Sequence, residues 1–281
     1  MQRILVQTTI LFAENDWHVG RFSSLVSHLR GLGHEVVARD RATPAGVDDP
    51  FLTELSRRDF DQLWLLAVDV GDGITSAESS SIARFHDAGG GLMLARDHMD
   101  LGSSLCRLGG VSAAHYFHTK QQPPEAARHR DDMETVPISW PNFHSGSNGD
   151  VQRIEAISPV HAVLRRADGS TLQLLPSHPH EGGVLAPQAE RSARVVVTGR
   201  SSISGQLFNI AVAFDARSGS GRGWAESTFH HFVDYNWNTR VGCPTFVTEK
   251  SSSAIEDNPS LLDDTKLYVA NLAVWLGNAN G

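Results

Sequence analysis

Apolar and polar positions alternate between two periods along the first hundred residues. Residues 3–9, "RILVQTT", form a β-rich run consistent with a buried strand. The next segment, 18–33, places Phe22, Leu25, Val26, Leu29 and Leu32 on one helical face, with Gly31 or Gly33 as the stop. Residues 34–40 read as a second strand, "PFLTELSRR" as a short helix, and 60–69 as a third strand apolar on both faces. A helix follows, with Thr75 or Ser76 as N-cap, Glu78 in its first turn and glycines at its end. "GGGLMLARDHMD" then supplies a tight turn, a fourth strand over 92–96 and an abrupt polar exit, and "LGSSLCRLGG" reads as a further helix. Strands alternating with amphipathic helices predict a doubly wound, mostly parallel sheet with helices on both faces.

The pattern breaks between 111 and 160, where a polar, Pro- and Gly-rich stretch reads as a long insertion or lid within a single α/β domain spanning 1–281. Short strands return in "STLQLLPSH", "ARVVVTGR", "FNIAVAFDA" and "GWAESTFHHF", with "RSGSGRG" as a hairpin loop. A helix over 259–277 closes the pattern, and no internal repeat is present.

Composition narrows the function. The formal net charge of −8, without a Lys/Arg cluster, argues against a nucleic-acid partner. The N-terminal apolar patch is interrupted by Gln7, Thr8 and Thr9, unlike a signal segment, and no apolar run reaches membrane-spanning length. With only two cysteines, neither a disulfide framework nor a cysteine-only zinc site is available, and a cytoplasmic protein is expected. A small-molecule substrate is the expected partner, with homo-oligomerisation left open.

The chain holds 14 histidines, an excess that packing does not require. Many fall in four clusters: Asp97-His98; His115 with His118; His178, His180 and Glu181; and His230, His231 and Asp234. Each follows a strand-like run or sits beside glycines. In doubly wound sheets, ligands bind outside the carboxyl ends of the strands, where such residues would gather. Imidazole and carboxylate suit acid–base chemistry or a divalent ion such as zinc or manganese. Asp97, His98, His178, His180, Glu181 and His230 are therefore the candidate catalytic residues. His230, His231 and Asp234 are the candidate metal ligands. Arg96, Trp17, His115 and Tyr235 are candidate substrate contacts. Trp17, Trp140, Tyr235 and Trp237 could stack on a sugar ring, although each could equally be packing. No long-range metal motif of the HExxH kind is present. Cys106 lies well beyond the fourth strand at a packing position, and Cys243 sits in a loop before Pro244.

The order of segments resembles the class I glutamine amidotransferase-like superfamily, and within it the trehalose-utilisation (ThuA-like) branch. The resemblance is carried by "FDQLWLLAVDVGDGITSAESSSIARFHDAGGGLML", "LGGVSAAHYFH", "ISPVHAVLRR", "GRGWAESTFHH" and "YVANLAVWLGN". It implies a flavodoxin-like fold in which the turn after the fourth strand is a nucleophile elbow. In the glutaminases of that superfamily the elbow holds Cys, and a distant His-Pro-Glu run supplies the base. Here the elbow holds Arg96, Asp97 and His98. The run is "SHPHEGG", with His180 in the Glu position and Glu181 one residue late. Without a thiol no thioester forms, so glutaminase chemistry is not expected. The two readings that remain are a His/Asp-based enzyme of hydrolase or lyase type acting on a small sugar-like or carbonyl substrate, with or without a divalent metal, and a non-catalytic binding or scaffold module of the same fold.

Overall fold

In the computed structural model, residues 1–131, 135 and 137–278 are described; residues 132–134 and 136, inside the 111–160 segment, lie outside that set. The first four strands are β1 (Arg3–Leu11), β2 (Glu35–Arg41), β3 (Gln62–Leu66) and β4 (Gly91–Ala95). Helices α1 (Ser23–Gly31), α2 (Pro50–Thr53) and α3 (Ser76–Asp87) alternate with them. The middle of the chain adds β5 (His115–Tyr116), β6 (Val151–Arg153), β7 (Glu155–Ala156), β8 (Leu174–Pro176) and β9 (Gly183–Val184). The remainder contributes β10 (Ala193–Arg200), β11 (Leu207–Phe214), β12 (Gly223–Glu226), α4 (Asp234–Trp237), α5 (Ala254–Asp257) and α6 (Asp263–Gly277).

Eight strands form one sheet in the order β2-β1-β3-β4-β12-β11-β10-β7. The first five pair in parallel, and β11, β10 and β7 extend the sheet antiparallel. The parallel part has the strand order of a flavodoxin-like fold. The inner strands β3 and β4 are covered on both faces and read as unbroken apolar runs, whereas β2, at the edge, is half exposed and mixes polar with apolar residues. Ile4, Val6, Trp64, Leu66, Met93 and Ala95 pack with α1 and α6. The intervening Leu5, Leu63, Leu65, Leu92 and Leu94 face the other way, with Ile82 and Phe85 of α3. Burying each such side chain is worth about 1.5–3 kcal/mol.

Helix α3 starts at the expected cap: Thr75 accepts from the Glu78 backbone N–H while the Glu78 side chain accepts from the Thr75 N–H, a reciprocal capping box. Three expected elements come out shorter. "LGSSLCRLGG" forms only a 3₁₀ turn over Ser103–Arg107, bounded by glycines at positive φ that stop propagation. The "STLQLLPSH" run, 170–178, keeps only β8, because Pro176 inside it and Pro179 just after it limit what can pair. "GWAESTFHHF" is a strand only to Glu226 and then a 3₁₀ turn over Phe229–His231. The 111–160 segment adds β7 to the main sheet edge and pairs β6 with β8. No helix among the described residues is long and apolar enough to cross a membrane.

Candidate functional site

Beyond Ala95 the chain leaves the sheet in a tight elbow. Arg96 is fully buried beneath it, its guanidinium 4.3 Å over the Phe117 ring and donating to the Met99 carbonyl. Met99 takes φ = 50°, an unusual left-handed conformation for a non-glycine residue. The elbow therefore turns back on itself and presents Asp97 and His98 at the carboxyl edge of the sheet, where ligands bind in this architecture.

Asp97 is 2% exposed and meets three imidazoles. Its Oδ1 lies 3.2 Å from His98 Nδ1 and 3.3 Å from His178 Nε2. Its Oδ2 accepts from His230 Nε2 at 3.3 Å. The His178 and His230 rings stack with centroids 3.6 Å apart and planes within 9°. Trp17, from the loop after β1, packs edge-on against His230 at 4.9 Å. Burial alone would raise the Asp97 carboxyl, but the adjacent His98 and His230 outweigh it and hold it well below the usual carboxylate range. Burial depresses both His178 and His230, so each is a neutral imidazole.

The tautomer of His178 follows from its other neighbour. His178 Nδ1 donates to Asn148 Oδ1 at 3.1 Å, which leaves a lone pair on Nε2, aimed at Asp97. Asp97 Oδ1, His98 Nδ1 and His178 Nε2 are all buried, and none has a hydrogen bond of good alignment. One donor atom from each of Asp97, His98 and His178 lies within 4.8 Å of the others. Two acceptors 3.3 Å apart repel unless a cation lies between them. Bonds of about 2.0–2.2 Å to a tetrahedral zinc ion place adjacent ligand atoms about 3.3–3.5 Å apart, close to the 3.2 and 3.3 Å that separate Asp97 Oδ1 from the two imidazole nitrogens. Two nitrogens and one carboxylate oxygen form a donor set suited to zinc or manganese.

These groups form one wall of a cavity of about 320 Å³, within the size range of small-molecule sites. Trp17, Leu101, Ile138, Phe246 and Val247 supply its apolar surface. His180 also lines it, with Nε2 3.1 Å from Glu249 Oε1.

Asp97, His98, His178, His180, His230 and Trp17 thus converge on one cavity. The other sequence candidates do not line it. Arg96 is locked under the elbow; burial lowers it to about 9, still a cation at neutral pH. His115 is buried behind β12, its Nε2 3.2 Å from the Glu226 carbonyl, and burial takes it down to about 3. Tyr235 packs in the core. The proposed ligand trio of His230, His231 and Asp234 is split three ways, because consecutive side chains on a 3₁₀ turn diverge. His230 faces Asp97. Asp234 accepts from the backbone N–H groups of Ser23 and Ser24 at 3.0 and 2.7 Å and caps α1 from a distant part of the chain. His231 is sealed between Glu226 Oε1 at 2.7 Å and Glu181 Oε1 at 3.2 Å. Burial opposes charge on His231, but Glu181 and Glu226 prevail and push it up to about 10.

Glu181 therefore orients His231, not His178, and also accepts from Ser145 and Ser227. The residue that pairs with His178 Nδ1 is Asn148. Among the four candidate stacking aromatics, Trp17 alone lines the cavity; Trp237 donates to the His231 carbonyl, and Trp140 sits beside His118. Neither cysteine lines it, and burial raises the Cys106 thiol. Sequence reasoning missed Asn148, Glu249 and Glu226. The only signal available was for Glu226, an acid at the end of an otherwise apolar strand.

No family model matches the chain, and no curated protein matches it in sequence. Solved structures do. A ThuA-like protein from Parabacteroides merdae aligns over 98% of this chain and 90% of its own at 12% identity, with a TM-score of 0.50. The acivicin-bound glutaminase domain of Trypanosoma brucei CTPS aligns over 96% and 92% at 12% identity, TM-score 0.46. SMU.1228c aligns over 96% and 99% at 12% identity, TM-score 0.47. The first likeness, with the sheet order, bears out the doubly wound, mostly parallel α/β fold seen in that ThuA-like protein and speaks for the fold alone; the other two fall below a similarity that adds weight.

Proposed function

We propose that Asp97 Oδ1, His98 Nδ1 and His178 Nε2 hold a divalent ion, zinc or manganese, and that the protein is an enzyme of hydrolase or lyase type. Its substrate is a small sugar-like or carbonyl compound seated in the adjoining cavity. One observation carries this reading: three buried donor atoms converge with no hydrogen bonds of their own, two of them acceptors held 3.3 Å apart. Such an ion supplies Lewis acidity, polarising a carbonyl or activating water. The chain's residues have distinct tasks around it. Asn148 fixes the His178 tautomer, His230 steadies Asp97 through its second oxygen, and Trp17 offers an apolar face to the substrate. Glutaminase chemistry is not part of the reading, since no thiol lines the cavity.

The test is dialysis of the purified chain against zinc or manganese, then against metal-free buffer, followed by elemental analysis. Wild type is expected to retain close to one ion per chain, and His178→Ala to retain less than about a tenth of that. Equal retention by both proteins, or none by wild type, would sink the proposal.

A further inference from the structure

The charges around the cavity are unusually one-sided for a site that would take an anion. None of the described residues lining it is Lys or Arg, and its ionisable groups besides imidazoles are Asp97 and Glu249. Arg96, next to Asp97 in the chain, and Arg21, shortly after Trp17, are committed elsewhere. Arg96 is turned under the elbow onto Phe117 and the Met99 carbonyl. Arg21 donates to the backbone carbonyls of Gly242 and Glu14. A phosphate or carboxylate in this space would meet no guanidinium or ammonium among the described lining residues.

With a dication bound, Asp97 and Glu249 match its charge, so the space gains no net positive charge to draw an anion in. Binding must therefore come from shape and apolar contact. Trp17, Leu101, Ile138 and Val247 make the walls, and Phe246, 56% exposed, extends the apolar surface outward. Trp17 and Phe246 meet edge-to-face at 6.3 Å. Two reciprocal hydrogen bonds of 2.8 Å between Asn15 and Thr245 tie together the loops that carry them. The apolar rim is thus a built feature of the entrance.

We infer that this cavity selects small uncharged molecules with an apolar face and rejects phosphates and carboxylates. The inference rests on the proposed function in taking this cavity as the substrate site, and it narrows the substrate to neutral carbonyl compounds such as amides, esters or unphosphorylated sugars. Asp97 and Glu249 keep the pocket free of net positive charge, and the aromatic and aliphatic walls supply the attraction.

Three probes of matched size and different charge test it: benzamide, benzoate and phenyl phosphate, titrated by ligand-observed NMR into the zinc-dialysed full chain. Benzamide is expected to bind at least about tenfold more tightly than either anion, a difference of about 1.4 kcal/mol. That binding should disappear in Val247→Trp, which fills the cavity, and in Leu101→Phe if the first variant folds poorly. Glu249→Gln should narrow the gap between benzamide and benzoate. Either anion binding as tightly as benzamide, or benzamide failing to bind or binding equally to the filled variants, would overturn the inference. Ion content measured on the same samples separates the two ideas. An ion present with anions preferred overturns selectivity alone, whereas benzamide preferred with no ion retained overturns the metal reading alone.

Discussion

Replacing Glu226 by Gln removes one charge from the most deeply buried polar network and leaves the volume unchanged. Glu226, Glu181 and His231 all have no exposed surface. Glu226 Oε1 holds His231 Nδ1 at 2.7 Å, while Oε2 accepts from Tyr268 Oη at 2.6 Å and Trp224 Nε1 at 2.7 Å. A carboxylate can accept on both sides at once, but an amide cannot. If Gln turns its oxygen to His231, its NH₂ faces the indole N–H; if it turns the other way, it faces the imidazolium. One buried donor is left without its partner at about 1–3 kcal/mol, and a charge-assisted bond is weakened in addition. The expected loss is about 2–4 kcal/mol near neutral pH, read by urea unfolding. The pH dependence is a second check. His231 is raised from about 6.5 in the unfolded chain to about 10 in the folded one. Its stabilisation is therefore complete below pH about 6.5 and is lost as pH rises through about 10. In Glu226→Gln only Glu181 still holds the proton, so the loss should set in at lower pH. A change under about 0.5 kcal/mol, with unfolding profiles that superimpose between pH 7 and 10, would refute this account of the network.

Asn148→Ala should leave the fold intact but lower zinc affinity by about 10–100-fold in chelator competition, because His178 loses the acceptor that fixes its tautomer; unchanged affinity would deny Asn148 that task. Gly182→Ala should destabilise by about 1–3 kcal/mol or more in thermal or urea unfolding. Its Cβ would sit 2.6 Å from the Ser227 carbonyl oxygen and 2.7 Å from that of Asp97, both backbone atoms, and against the Arg96 guanidinium. Gly31→Ala near the end of α1 meets nothing within 4 Å and should instead stabilise by about 0.4–1 kcal/mol. Opposite signs at these two glycines are the checkable outcome.

The inner parallel strands β3 and β4 were readable from the chain because both of their faces are covered, which writes each as an apolar run. Helix α3 was readable because its capping box is local. What failed was local structure decided by backbone geometry that composition does not show, as at Ser103–Arg107, where glycines at positive φ hold the segment to a 3₁₀ turn. The site divides on the same line. Asp97, His98, His178, His180 and His230 stood out as imidazoles and carboxylates beyond strand ends, and they do share a cavity. Their adjacent candidates do not, because a one-residue step in a tight turn reverses the side chain. His230 meets Asp97 while His231 meets Glu181 and Glu226. Asp234 looked like a ligand and is a remote helix cap. Asn148 and Glu249 come from loops with no periodic signal, so only the folded chain brings them to the histidines.

The central claim is a location, and an anomalous diffraction map at the zinc edge from crystals grown with zinc tests it most directly. The account predicts one peak about 2.0–2.2 Å from Asp97 Oδ1, His98 Nδ1 and His178 Nε2. No peak there, or zinc bound only at other histidines, would contradict it.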